Sequence, residues 1–117
     1  NYGDFDNKGT SGANAANTKL KYLSDAAITK HKIAALTETG YRVTSTTPAI
    51  PHWFSTYRFD AINNNNVQIA YVMFWTNTSS GYYVPTPGTS NVADFQSFAL
   101  KNKIVMQHQL KNLYKFP

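Results

Sequence analysis

Two short apolar runs constrain the fold of this chain more than any other feature. Ile33-Ala34-Ala35-Leu36 and Val67-Gln68-Ile69-Ala70-Tyr71-Val72-Met73-Phe74-Trp75 show little of the polar–apolar alternation of a strand with one wet face. Such runs belong to strands covered on both sides, the parallel-sheet type. The second is also rich in β-branched and aromatic residues.

Helical patterns separate the two runs. Residues 1–16, rich in Gly, Asn, Asp and Ser, read as a loop. A helix is expected to begin near Asn17, a good N-cap type, and to carry Leu20, Leu23, Ala27 and Ile28 on one face. Lys30, His31 and Lys32 crowd its end, where cations complement the helix dipole. After Gly40 and a loop holding Pro48 and Pro51, residues 53–62 place Trp53, Phe54, Tyr57 and Phe59 at helical spacing. Four asparagines, residues 63–66, make a polar turn before the second run. A loop over residues 76–89 follows, and Ser90 or Asn91 can cap a helix carrying Val92, Phe95, Phe98 and Ala99. Residues 104–116 predict one more short helix.

Helix, buried strand, helix, buried strand, helix is the order of a parallel α/β sheet with right-handed crossovers. Two strands cannot bury each other's edges. A complete (β/α)8 barrel needs about 250 residues, against 117 here. The expected fold class is α/β, a slice of a (β/α)8 TIM barrel, with residues 1–117 forming one partial domain. The chain opens on Asn1 without a leader-like stretch, and the missing strands are expected from another chain or from polypeptide beyond these residues.

Charge and composition exclude several alternatives. The net charge of +5 raises nucleic acid as a partner. The cations are scattered, however, with no run of five basic residues, so no nucleic-acid interface is expected. The chain has no cysteine, which removes disulfides and thiolate metal sites. His31, His52 and His108 lack ligand-like spacing and read as surface or boundary residues, so neither metal nor cofactor is expected. No apolar stretch reaches the roughly 18 residues of a membrane span.

The residue with the most chemistry to offer is Glu38, the only glutamate in the sequence. It follows the first apolar run in Thr37-Glu38-Thr39-Gly40, at the C-terminal end of a predicted parallel strand, where barrel enzymes place reactive groups. Position alone leaves open a glutamate that merely ends a strand and meets solvent. Trp75 ends the second strand, and if the strands are neighbours it opens onto the same cleft. An indole beside a carboxylate suits a sugar, the ring stacking on the apolar face while the carboxylate meets the anomeric carbon. A tryptophan packed under a loop is the plainer alternative.

Three segments together carry a resemblance. Lys32-Ile33-Ala34-Ala35-Leu36-Thr37-Glu38-Thr39-Gly40-Tyr41 resembles the nucleophile strand of glycoside hydrolase family 26. Val72-Met73-Phe74-Trp75-Thr76-Asn77 is similar to that family's eighth strand, which ends in a Trp and an Asn one residue apart. Tyr82-Tyr83-Val84-Pro85-Thr86-Pro87-Gly88, with Ala93-Asp94-Phe95 beyond it, is similar to the loop and last helix. The resemblance implies strands seven and eight of a (β/α)8 barrel, the C-terminal third of a catalytic domain. It implies retaining hydrolysis of β-1,4-mannan by a secreted, cell-surface or periplasmic enzyme, with no cofactor. Glu38 would be the nucleophile, and Trp75 would line the subsite of the sugar under attack. Asn1-Tyr2-Gly3 resembles the end of the sixth strand, making Tyr2 a hydrogen-bonding partner of nucleophile and sugar. Tyr41, closing the nucleophile motif, joins the implied substrate-binding residues.

The family's acid/base glutamate has no counterpart here. Asp25, Asp60 and Asp94 fall in predicted helices, and nothing marks Asp4 or Asp6 as an acid catalyst. The expected enzyme is therefore an endo-β-1,4-mannanase that is incomplete without the part carrying that glutamate. Within the family, mixed-linkage β-glucan or β-1,3-xylan are alternative substrates. From another class, a non-catalytic carbohydrate-binding module would present Trp53, Trp75, Tyr82 and Tyr83 to a polysaccharide. Asn77-Thr78-Ser79 is also an N-glycosylation sequon.

Overall fold

The structure, a computed structural model, describes residues 9–111. Helix α1 (Gly9–Thr29) leads into strand β1 (Leu36–Thr39). A π-helical segment (Trp53–Arg58) then runs directly into α2 (Phe59–Asn63) and a 3-10 turn (Asn64–Asn66). Strand β2 (Val72–Phe74), helix α3 (Val92–Ala99) and a last 3-10 turn (Gln107–Gln109) complete the order. The two strands pair in parallel, as the helix–strand alternation requires.

Helix α1 begins well before Asn17. Residues 9–16 are helical although their composition reads as a loop, because their small side chains are packed. Gly12, Ala13 and Ala16 are buried in the contact of α1 with the following helical layer. Such tertiary packing overrides weak helix propensity. Asn17 accordingly is not an N-cap. It is buried, and its Nδ2 donates to the carbonyls of Ala61 (3.0 Å) and Asn64 (2.8 Å), while Oδ1 accepts from Asn65 Nδ2 (2.6 Å). One amide thus bonds carbonyls at the end of α2 and at the start of the 3-10 turn that follows it. About two helical turns further on, the fully buried Ser24 accepts from the Gln68 N–H at 2.9 Å, fixing the approach to β2.

The core is aromatic. Trp53, Phe54 and Phe98 are each 3% exposed or less, with Phe74 and Phe95 packed against them. Phe54 is the hub, meeting Trp53, Phe95 and Phe74 edge-to-face at centroid distances of 4.7, 5.0 and 5.4 Å. Edge-on contact sets each ring's positive rim against its neighbour's negative face. The Arg58 guanidinium lies 4.7 Å from the Trp53 ring centroid in a cation–π contact. Asp94, on the first turn of α3, accepts from the Phe54 and Ser55 N–H groups at 2.8 and 3.0 Å. One carboxylate thereby caps the N-terminus of the π-helical segment and ties it to α3.

Both strands are shorter than the apolar runs suggest. β1 starts at Leu36 and reaches through Glu38, whereas Ile33 lies outside it and is 84% exposed. In β2 only Val72–Phe74 pairs, residues 67–71 forming an extended approach held by bonds such as Ala70 N–H to Ala34 carbonyl (2.8 Å). The expectation of burial on both faces is met on one: the helical layer covers Phe74, while Tyr71, Met73 and Trp75 on the other face are 43–52% exposed. At the C-terminal end the expected helix reduces to the turn Gln107–Gln109, and residues 112–116 lie outside the described residues.

Truncating the hub should be costly. Phe54→Ala is expected to destabilise the protein by about 3–5 kcal/mol, the range for a buried Phe cut to Ala, read as a lowered denaturant midpoint; Phe54→Leu should lose well under half of that.

Candidate functional site

The pairing of β1 with β2 is irregular at one rung, and Glu38 sits there. Leu36 pairs with Val72 and Thr39 with Phe74, so Thr37 and Glu38 together oppose the single residue Met73. This is a β-bulge, a device that re-aims side chains next to active sites. The burial follows it: Leu36 and Thr39 are buried on the side of the helices, Thr37 is exposed and Glu38 half-buried. In a regular strand Glu38 would share a face with Leu36 and be carried in beside Phe74. The extra residue brings it instead to the open face shared with Met73.

Trp75 follows from the same register. Alternation along β2 turns Phe74 to the aromatic core and sets Met73 and Trp75 on the open face. The Trp75 N–H donates to the Thr39 carbonyl at 2.9 Å. The Trp75 backbone is therefore tied to the residue directly after Glu38, at the C-terminal end of both strands. Glu38 and Trp75 thus end the two neighbouring strands, as their positions in the sequence imply.

The other residues named from the sequence behave differently. Tyr41 belongs to the edge of the core, its ring 6.4 Å from that of Trp53 and tilted by 36°. Trp53 is buried, so it cannot be presented to a polysaccharide as a binding module would need. Tyr2, Asp4 and Asp6 lie outside the described residues. Among the described carboxylates, Asp25 is paired with Lys21 one turn away on α1, and Asp94 is committed to the amides of Phe54 and Ser55. Asp60 lies on α2. The acid/base role thus finds no holder among them. His31, His52 and His108 are exposed, and no group of three His, Cys, Asp or Glu suited to a metal occurs among the described residues. No helix among them is long and apolar enough to cross a membrane.

Two further features of the site were not evident from residue types. Gly40 has φ +153°, and a Cβ placed on it would lie 2.6 Å from Tyr83 Cδ1. The Tyr83 ring therefore rests directly on the backbone two residues after Glu38, which only glycine permits. The buried Thr39 Oγ1 has no hydrogen-bond partner among the described residues. In the sequon, the Asn77 side chain is turned into its own loop, Nδ2 donating to the Val84 carbonyl at 2.8 Å.

No protein-family model and no curated protein matches the chain. Among solved structures, GH26C from Muricauda sp. MAR_2010_75 is similar over 100% of the chain, with 44% identity and a TM-score of 0.93. A modular endo-β-1,4-mannanase from Cellulomonas fimi, a glycoside hydrolase family 26 mannanase, is similar over 85% of the chain at 27% identity and a TM-score of 0.75. The chain spans 32% of the first structure and 23% of the second. Those neighbours are (β/α)8 barrels, so the two-stranded parallel sheet described here is a piece of a closed one.

Two substitutions test the site's construction. Gly40→Ala should destabilise the protein by about 1–3 kcal/mol through overpacking against Tyr83, measured by denaturant unfolding. Thr39→Val, which removes a buried hydroxyl without a partner, should be neutral or stabilising by up to about 1 kcal/mol in the same measurement. From register, burial and similarity together, the chain belongs to glycoside hydrolase family 26, as a segment of its (β/α)8 domain.

Proposed function

We propose that this chain supplies the nucleophile, Glu38, of a retaining endo-β-1,4-mannanase. The observation that carries the reading is the bulge: it sets a lone glutamate toward the open face, on the strand next to a tryptophan whose backbone N–H bonds the carbonyl of the following residue, Thr39. The likeness to the Cellulomonas fimi endo-β-1,4-mannanase supports mannan as the substrate class.

In this mechanism a Glu38 carboxylate oxygen attacks the anomeric carbon and forms a glycosyl ester as the C1–O bond to the leaving sugar breaks. The departing oxygen takes its proton from a second carboxyl group, about 5–5.5 Å away in retaining enzymes. That group comes from outside the described residues, from another part of the polypeptide or from an accompanying chain. Water, deprotonated by the same second carboxylate, then attacks C1 and frees Glu38, so configuration is kept. Trp75 stacks on the apolar face of the sugar and holds C1 toward the carboxylate. Since the substrate is a polysaccharide too large to enter a cell, we place the enzyme outside the cytoplasm, secreted or at the cell surface or in the periplasm.

The experiment is covalent trapping. The protein as isolated is incubated with a 2-fluoro mannosyl donor bearing a dinitrophenyl leaving group, which needs little acid assistance. A sugar adduct on the peptide containing Glu38, seen by mass spectrometry, is the expected result. Glu38→Gln should abolish the adduct, lower turnover of mannan on the order of ten-thousandfold, and leave sugar binding nearly intact. An adduct elsewhere, or full turnover by Glu38→Gln, overturns the assignment. Turnover of mixed-linkage β-glucan or β-1,3-xylan in place of mannan would keep the mechanism and change the substrate.

A further inference from the structure

Asn77, two residues past Trp75, makes three hydrogen bonds within the loop after β2. Its Oδ1 accepts from the N–H groups of Tyr83 (2.8 Å) and Val84 (3.0 Å), and its Nδ2 donates to the Val84 carbonyl (2.8 Å). One amide thus closes residues 77–84 into a ring. Inside it, Thr78 and Gly81 exchange backbone hydrogen bonds at 2.9 and 3.3 Å.

The closed loop is fastened to the loop that follows Glu38. Val43 and Tyr82 form an antiparallel bridge, their N–H groups donating to each other's carbonyls at 2.9 and 3.0 Å. Arg42 donates to Ser80 Oγ, and the Tyr83 ring presses on Gly40. On its far side the Tyr82 hydroxyl donates to Asn91 Oδ1 at 3.1 Å, at the start of α3. Past the paired strands themselves, the segment carrying Trp75 and the segment carrying Glu38 are joined twice. The first join is the Trp75–Thr39 backbone bond, and the second is the loop that Asn77 holds in shape.

We propose that Asn77 is a positioning residue for the reaction assigned above: by closing the 77–84 loop it braces residues 40–43 and fixes Glu38 relative to Trp75. The inference rests on that reading of Glu38. Asn77 itself has no hydrogen bond to the aromatic core, and the Phe54 and Phe74 packing does not pass through it. Its loss should therefore loosen the site more than the fold. Reaction rates respond steeply to such loosening, since a misplacement of about 1 Å can cost on the order of a hundredfold.

The test compares Asn77→Ala and Asn77→Asp with the unaltered protein, each in the full polypeptide or complex that carries the second carboxyl group, reading kcat and KM on mannan, the thermal midpoint, and amide hydrogen exchange of Tyr83 and Val84. Asn77→Ala should expose both amides to fast exchange and lower kcat by roughly 30- to 100-fold, with KM within about threefold. Asn77→Asp keeps both acceptor contacts and loses the donation to Val84, so it should protect the two amides and recover most of kcat. Unchanged kcat in Asn77→Ala overturns the proposal, as does a loss of activity fully accounted for by a lowered midpoint. If the unaltered protein neither turns over mannan nor forms an adduct on Glu38, the catalytic reading fails and takes this proposal with it. Exchange protection at Tyr83 and Val84 would then show only that the clamp exists.

Discussion

The edge-to-face stack of Phe54 on Phe74 fixes everything on the other side of the sheet. A strand alternates, so once Phe74 is committed to the helical layer, Met73 and Trp75 are committed to the opposite face. The stack also decides which side of the paired β1 is inward, and Leu36 and Thr39 follow. Asp94 secures the stack from behind, holding the first amides of the helical segment from which Phe54 projects. A carboxylate that the sequence places on a helix, away from any cleft, thus orients the cleft through two layers of packing.

What was legible in the sequence were features with a local cause. The runs 33–36 and 67–75 announced parallel strands because apolar residues without alternation have few other uses, and a glutamate directly after one of them invited a chemical reading. Trp75 beside Glu38 followed from adjacency of the strands, which the Trp75–Thr39 bond bears out. The extent of the elements was another matter. Residues 9–16 are helical only because Gly12, Ala13 and Ala16 let a neighbouring helix come close, a fact about the neighbour that composition does not hold. Asn17 looked like a cap for its own helix and serves the end of another, some 44 positions away.

The site was legible in its residues and not in its support. The clamp of Asn77, the seat of Tyr83 on Gly40 and the core placement of Tyr41 are long-range contacts between loops. Asn and Gly in a loop read as turn formers in any sequence, and a Tyr there does not announce what it packs on. The family resemblance marked Trp75 and Asn77 as a pair without saying what the second does; in the structure it bonds to its own loop.

The bulge in β1 carries a consequence for how such sites diverge. The rung opposite Met73 displays two side chains where a regular strand displays one, and Thr37 stands exposed next to Glu38. Which face a group meets is set by counting residues as well as by choosing them. A lineage can therefore gain or lose a charged group at this rung by inserting or deleting one residue, with the aromatic layer behind it untouched. Thr37 is in the same way a position open to drift, where a new neighbour for the carboxylate can be tried without disturbing the core.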